Sequence, residues 1–421
     1  MNFILFIYII VCSFLLSASF ESNDFIKPLL DTKDLNGNSL SEFVALRGDY
    51  SRSIEIIEID EQLNTIWEYK MVGVNDYFID AKHVDINNDG TMELIAIGSS
   101  EEHNNFIYVF DYNESGLPNI YPKKLSIDKI SKKNINPKSL HFLDTNNDGV
   151  REALFSFSAP DRKLVLCDLM NSNFKNCKNI AENELNHSVG TFFTSVGSFD
   201  STPGHDILLF INDQMPKSYL IQANCATIHF DLHNLKFVKN VIDNNWDLDN
   251  MSFDDIMIQN QNNNYTLYLT PEETHEFENI LTFIPYNVKE QFYLISLSSN
   301  LRLKQYEYHV ESKQWAVNDM GSHNFKLDHT TQFESLYIED SNQLVLSHNG
   351  KNPEVSIIDL ISNPQYKNQF ILSTMPDKFS HVNSLFSHSL ELDSTLEFLK
   401  FEGDSLPEGM SLNSETMNLE W

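Results

Sequence analysis

Three stretches of this chain repeat one arrangement: acidic or amide side chains at the first, third, fifth and ninth positions of a loop, then an apolar run. The first copy places Asp34, Asn36, Asn38 and Glu42 ahead of Phe43 to Leu46. The second, in "VDINNDGTMELIAIG", places Asp85, Asn87, Asp89 and Glu93 ahead of Leu94 to Ile97. In the third, "LDTNNDGVREALFSF", Asp144, Asn146, Asp148 and Glu152 lead into Ala153 to Phe157. "VGSFDSTPGHDILLFI" reads as a decayed fourth copy starting at Asp200. The starts are spaced about 55 residues apart, a period that builds similar units side by side rather than one mixed core.

Each copy carries strand–turn–strand texture, and "NFIYVFDYNESGLPNIYPKKL" adds a second pair of alternating segments through Asn113 to Gly116. Four strands per unit at this period is the grammar of a propeller blade. Later stretches lack the acidic loop but keep the hairpin: "SFDDIMIQNQNNNYTLYLT", "FESLYIEDSNQLVLSHNG" and "SLELDSTLEFLKFEGD". The 421 residues hold about seven such units after an N-terminal leader. The expected architecture is therefore all-β: a seven-bladed β-propeller with four antiparallel strands per blade. Its span is read as residues 20–405, with 406–421 as outer strands of the last blade or a tail. Residues 276–318 fit either a long fifth blade or an extra one. No long amphipathic helix is evident, and a continuous array offers no internal linker.

The acidic loops suit a hard cation. Ca²⁺ takes six to eight oxygens, and carboxylate or amide oxygens at loop positions 1, 3 and 5, a carbonyl at 7 and a carboxylate beyond wrap around it. The expected ligands are Asp85, Asn87, Asp89, the carbonyl of Thr91 and Glu93; Asp144, Asn146, Asp148, the carbonyl of Val150 and Glu152; and Asp34, Asn36, Asn38 and Glu42. Gly90 and Gly149 permit the sharp turn. The second and third loops each bring three carboxylates together, which repel one another unless a cation intervenes. An EF-hand fails the test, because its twelfth position requires Glu and here holds Ala96 or Phe155, and the flanks read as strands. A metal-free Asx turn capping the hairpin is the competing reading. The Asp200 loop is expected to hold no metal.

These loops resemble the FG-GAP repeats of the integrin α-subunit N-terminal propeller family, found also in secreted proteins with VCBS-type repeats. Ser158-Ala159-Pro160 stands where that family has Gly-Ala-Pro, and "VFDYNESGLPNIYPKKL" is similar to the second half of its repeats. The resemblance is close from about residue 30 to 215 and weak beyond, and Glu replaces the commoner Asp at the ninth position. It implies a seven-bladed propeller with structural Ca²⁺ between the first two strands of a blade. Recurrence on successive blades agrees, since a catalytic cation needs an open position and neighbouring acid–base groups.

Phe3 to Leu16 is almost wholly apolar and is followed by Ser17-Ala18-Ser19, a leader of residues 1–19 suited to signal peptidase, although basic residues ahead of it are missing. A signal anchor is the alternative, on a stretch shorter than the ~20 residues of a bilayer span. No later segment is apolar enough to span a membrane. The mature chain is expected in the secretory lumen or outside the cell. There Cys167 and Cys177, on two strands joined by an Asn-rich turn, are candidates for a disulfide, with Cys225 left as a buried small hydrophobe. Asn113, Asn186, Asn250 and Asn264 lie in glycosylation sequons.

Asp and Glu outnumber Lys and Arg by 60 to 29, a net charge of −31 that repels nucleic acid and anionic membranes. Lys123, Lys124, Lys129, Lys132, Lys133 and Lys138 are a local exception, read as a solvated linker or a patch for an anionic glycan or a carboxylate-rich partner. Arg47-Gly48-Asp49 falls in a turn between strands, where an exposed RGD engages integrins, although Gly in a turn needs no such role. His83 and His141 precede their loops at different offsets and read as strand residues. No nucleophile elbow, zinc-protease motif or phosphate loop is evident. The expected function is a non-enzymatic, calcium-stabilised module for a protein or glycan partner in adhesion or recognition. The alternative is a carbohydrate-active lyase or hydrolase on the same scaffold.

Overall fold

The structure, a computed structural model, describes residues 17–21, 25–32, 34–48, 51–60, 62–73, 76–87, 89–99, 106–126, 137–158, 162–169, 174–186, 188, 190–223, 225–242, 254–260, 263–288, 291–310, 312–322, 332–349, 353–360, 387–389, 411–413 and 418–420. Seven four-stranded antiparallel sheets make up the unit that ends at Leu360. Blade 1 runs Ile26–Thr32, Glu42–Arg47, Ser53–Glu58 and Thr65–Lys70. Blade 2 is Tyr77–Val84, Glu93–Ser99, Phe106–Phe110 and Lys123–Ser126. Blade 3 is Pro137–Leu143, Glu152–Phe157, Lys163–Leu169 and Phe174–Asn179. Blade 4 follows with Phe192–Gly197, Asp206–Ile211, Lys217–Ile221 and Thr227–His229. Blade 5 comprises Val238–Ile242, Ile256–Asn260, Tyr265–Tyr268 and Thr274–Phe277. Ile280–Val288, Gln291–Ser298, Arg302–His309 and Gln314–Ser322 form blade 6, so the ambiguous stretch is a complete blade of its own. The helix among the described residues is one turn and a half, Glu182–Asn186.

Blade 7 has Phe333–Ile338, Gln343–His348 and Glu354–Asp359, and its fourth, outer strand is Ser17–Glu21 from the other end of the chain. The ladder pairs Ser17 with Ile358, Ala18 with Ile357, Ser19 with Ser356, Phe20 with Val355 and Glu21 with Glu354. This differs from the expectation that residues up to 405, or 406–421, complete the last blade. With the N-terminal strand in that place, no C-terminal strand is needed. Ile361–Trp421 forms a separate unit whose described strands, Ser387–Ser389, Ser411–Asn413 and Asn418–Glu420, pair as a small antiparallel sheet. The cut expected after Ser19 falls inside the closing strand.

Second and third strands are apolar on both faces because each blade is covered by a neighbour on either side. In Glu42–Arg47 the alternation is visible: Val44 and Leu46, with Ile54 and Ile56, pack on Leu94, Ala96 and Phe110 of blade 2. Phe43 and Ala45, with Ile57, face the other way onto Val345, Val355 and Ile357 of blade 7. That second cluster closes the ring by side-chain packing, independently of the N-terminal ladder. Each Val, Leu, Ile or Phe among them, taken fully out of water, contributes roughly 1.5–3 kcal/mol. Outer strands need no such pattern, and Phe174–Asn179 is half-exposed along its length. It is tied to its neighbour by a disulfide between Cys167 and Cys177, with Cα atoms 4.1 Å apart. Cys225, expected in the core, is instead exposed on the turn after Lys217–Ile221, where its φ is 62° and its N–H donates to the carbonyl of Gln222 at 2.7 Å. No helix among the described residues is long and apolar enough to cross a membrane.

Candidate functional site

The acidic loops connect the first and second strands of blades 1 to 4, and so share one face of the ring. Each second strand opens on a carboxylate: Glu42, Glu93, Glu152 and Asp206, paired across the ladder with Thr32, Val84, Leu143 and Gly197. That carboxylate turns back under its loop and accepts a backbone N–H seven residues earlier. The donors are Leu35 at 3.0 Å, Ile86 at 2.8 Å, Thr145 at 2.8 Å and Phe199 at 3.1 Å. This shared contact sets the register of the fourth copy. Phe199 occupies the second position, so the copy starts at Ser198, two residues before the expected Asp200, and its third, fifth and ninth positions are Asp200, Thr202 and Asp206.

Above these anchors the loops fold alike. Asp85 accepts the N–H groups of Asp89 at 3.1 Å and Gly90 at 2.7 Å; Asp144 accepts those of Asp148 at 3.2 Å and Gly149 at 2.8 Å. Asn87 and Asn146 accept a second bond from Asp89 and Asp148, at 2.8 and 2.9 Å. Thr91 and Val150, the expected carbonyl ligands, donate their N–H groups to Asp89 and Asp148, at 2.8 and 2.7 Å. Gly90 and Gly149 have φ of 87° and 83°, the left-handed turn the motif requires. In blade 1 Asp34 accepts from Gly37 at 2.7 Å and Ser39 at 2.8 Å, and Asn36 and Asn38 accept from Asn38 and Leu40 at 3.0 and 2.8 Å.

A further acid is placed beside the anchor of each of the first three sites, at or just past the end of the third strand, and sequence spacing alone did not single it out. Glu58 pairs with Glu42 and accepts from the side-chain amides of Asn36 and Asn38 at 2.9 and 2.5 Å. Glu152 pairs with Asp168, whose carboxylate accepts from the Asn176 side-chain amide at 2.8 Å. The pairing of Leu94 with Phe110 sets Asp111 beside Glu93. In blade 4 the equivalent residue is Gln222, which donates to Asp200 at 2.7 Å. The signal was present, an acid at or just past the end of the third strand in the first three copies, but reading it requires the cross-strand register.

Crowding and burial shift the anchors. The Glu93 carboxyl is raised by burial, with Asp89, Asp85 and Asp111 adding to the shift against the Ile86 N–H. Burial likewise raises Glu152, beside Asp144 and Asp148, and Glu42, beside Asp34 and Glu58. Asp206 is raised by burial and then by Asp200. Oxygens of Asp85, Asp89 and Glu93 lie within 4.8 Å of one another. In blade 1, Glu42 is fully buried and its Oε1 has no hydrogen-bond partner. All these donors are oxygen, the set that suits Ca²⁺. Loop 4 is chemically different: Ser198, Thr202 and Gln222 replace acids, and only Asp200 and Asp206 carry charge.

The other sequence features separate in space. Arg47 lies at the end of a second strand, on the opposite face from the acidic loops. Its guanidinium is held by Glu55 at 2.7 and 2.8 Å, and Asp49 is outside the described residues. The lysine cluster is divided. Lys124 sits 5.0 Å over the Tyr108 ring on an outer strand. Lys138, on an inner strand, is turned 3.6 Å over Phe193 of blade 4, and burial lowers its ammonium to about 8. Lys129, Lys132 and Lys133 lie outside the described residues, as do Ala159, Pro160 and Asn250. His83 meets Tyr112 Oη at 2.7 Å, and His141 is 3.5 Å from Thr194 Oγ1. They occupy different surroundings, and burial lowers His83 to about 4.

No family model matches the sequence, and no curated protein matches it. Solved structures are similar in fold. The chain superposes on Raptor of Chaetomium thermophilum with a TM-score of 0.50 at 10% identity, covering 82% of this chain and 28% of that one. The N-terminal part of BBS1, crystallised with ARL6, gives 0.49 at 11% identity over 82% and 97% of the two chains. Sqt1 of Saccharomyces cerevisiae gives 0.48 at 10% identity over 82% and 98%. At this identity the likeness concerns the fold alone.

Proposed function

We propose that this chain is a non-enzymatic binding module of the secretory lumen or cell exterior, built from FG-GAP-type repeats and stabilised by structural Ca²⁺. The observation that carries this reading is the loop face itself. Three consecutive blades gather several carboxylates around a buried Glu at the start of the second strand, a charge arrangement that a divalent cation relieves. Asp34, Asn36, Asn38, Glu42 and Glu58 would hold one ion; Asp85, Asn87, Asp89, Glu93 and Asp111 a second; Asp144, Asn146, Asp148, Glu152 and Asp168 a third. Bound Ca²⁺ would supply charge neutralisation and loop rigidity. The propeller fits a protein-interaction module, and the partner proposed here is a lumenal or extracellular protein or glycan. The secretory setting is supported by the apolar leader and by the Cys167–Cys177 bridge, since disulfides persist in oxidising compartments.

Thermal melts in EDTA and in excess Ca²⁺ test the calcium reading. Ca²⁺ is expected to raise the midpoint and Mg²⁺ to raise it less. Identical melts in all three conditions would refute it.

A further inference from the structure

On the opposite face from the acidic loops, and on the blades that lack them, a cavity of about 360 Å³ opens between blades 5, 6 and 7. It lies at the beginnings of three first strands, of which those of blades 6 and 7 pack on each other. In blades 5 and 6 those strands carry a β-bulge, between Val238 and Asn240 and between Ile280 and Thr282, as the first strands of blades 1 to 3 also do. A bulge re-aims the side chain that follows it. Here both post-bulge residues, Asn240 and Thr282, line the cavity, and Ser335 of blade 7 joins them with its Oγ 3.2 Å from Thr282 Oγ1. Gln259, Asn263 and Gln332 add further amides, and half-buried Phe333 lies on the apolar side with Phe283.

The lining selects a class of ligand. Amides and hydroxyls each donate and accept, so this wall matches groups that do both, which describes sugar hydroxyls rather than an ion of either sign. The two charged side chains at the cavity, Lys239 and Glu334, are of opposite sign, and Glu334 faces Lys27 at 4.0 Å. The local charge therefore favours neither anion nor cation. An aromatic side chain beside planar amides suits a sugar ring, which has one apolar face and a hydroxylated rim. The volume is at the lower end of the ~300–1,000 Å³ usual for small-ligand sites, enough for a terminal unit and not for a long chain. We propose that this cavity binds one neutral sugar unit, free or at the end of a glycan. The proposal rests on the binding-module reading above and names its ligand class and place.

The test is calorimetric titration of the full chain with neutral mono- and disaccharides, together with capture on an immobilised desialylated glycoprotein before and after enzymatic deglycosylation. Saturable binding is expected to a neutral saccharide, to the glycoprotein, or to both. Binding of the free sugar identifies a soluble ligand; capture of the glycoprotein alone identifies a glycan terminus. An Asn240→Ala/Gln332→Ala double variant, altered at two exposed positions, should melt as wild type and bind at least tenfold more weakly. Binding to neither probe, equal binding by the double variant, or capture that survives deglycosylation would each overturn the proposal. Calcium dependence of the melt is read separately, so loss of the calcium reading leaves a different signature from loss of this one.

Discussion

Asp144 and His205 bind each other twice across a blade boundary: the His205 N–H donates to the Asp144 carbonyl at 2.7 Å, and the Asp144 N–H approaches His205 Nδ1 at 3.1 Å. The first residue of loop 3 is thus fastened to the eighth residue of loop 4. Loop 4, poor in carboxylates, still has a mechanical task, because it braces the acidic loop beside it.

Gly204, next to that contact, has φ of 112°, and a Cβ there would lie 2.4 Å from the Thr145 carbonyl oxygen. Gly204→Ala is expected to push loops 3 and 4 apart and to cost about 1–3 kcal/mol in a urea melt. A conservative His205→Gln substitution should cost less.

Removing charge from loop 2 separates the metal from the metal-free Asx turn. Asp89→Asn is expected to abolish the part of the Ca²⁺-induced melting shift due to that site, about 2.7 kcal/mol at a hundredfold excess over Kd. In EDTA the same variant should be close to wild type in stability, because it relieves one of four crowded carboxylates but gives up a charge that the Thr91 N–H favours. Equal Ca²⁺ responses of variant and wild type would favour the empty turn.

Reducing the Cys167–Cys177 bridge, or replacing both residues with Ser, is expected to cost about 2–3 kcal/mol, from the loop-closure entropy of a short loop. Denaturant melts with and without reductant check this, and Cys225→Ser serves as the control.

Asp31 makes stability depend on pH. Burial raises its carboxyl to about 6, with Asp340 and Glu339 adding to the shift against the Glu339 N–H, which donates to it at 3.0 Å. The folded state therefore holds this proton more tightly than the unfolded chain, and stability falls as pH rises from about 4 to about 6. Asp31→Asn should flatten that slope and gain about 1–2 kcal/mol at pH 7, after discounting for partial solvent contact. The two proteins should converge near pH 4.

A chain beginning at Phe20 keeps two of the closing-strand residues and leaves Ser356, Ile357 and Ile358 without their ladder partners. It is expected to be roughly 1–3 kcal/mol less stable than one beginning at Ser17, and more prone to self-association through the opened edge. Mass spectrometry of the protein recovered from cells is expected to place its N-terminus at or before Ser17.

Much of the ring was legible in local pattern. A nine-residue loop ending in an acid, followed by strand residues apolar on both faces, locates Glu42–Arg47, Glu93–Ser99 and Glu152–Phe157 without coordinates. The period between those loops implies four strands per blade, and it carries through to seven even where the later blades lost their acids. The decayed copy was misplaced by two residues because Asp200 resembles a first position; only the Phe199–Asp206 hydrogen bond reveals it as the third.

The amino-acid sequence by itself determined the repeat, the strand periodicity and the chemistry of the loops, because those properties lie within a few residues of one another along the chain. Tertiary structure alone decided that Ser17–Glu21 pairs with Glu354–Ile358, that Glu58, Asp111 and Asp168 come beside the loop acids, and that Asn240, Thr282 and Ser335 share one cavity. Each of these depends on sheet register or on one blade meeting another. Such contacts join residues far apart in the chain and are specified by packing over the whole ring rather than by any local signal.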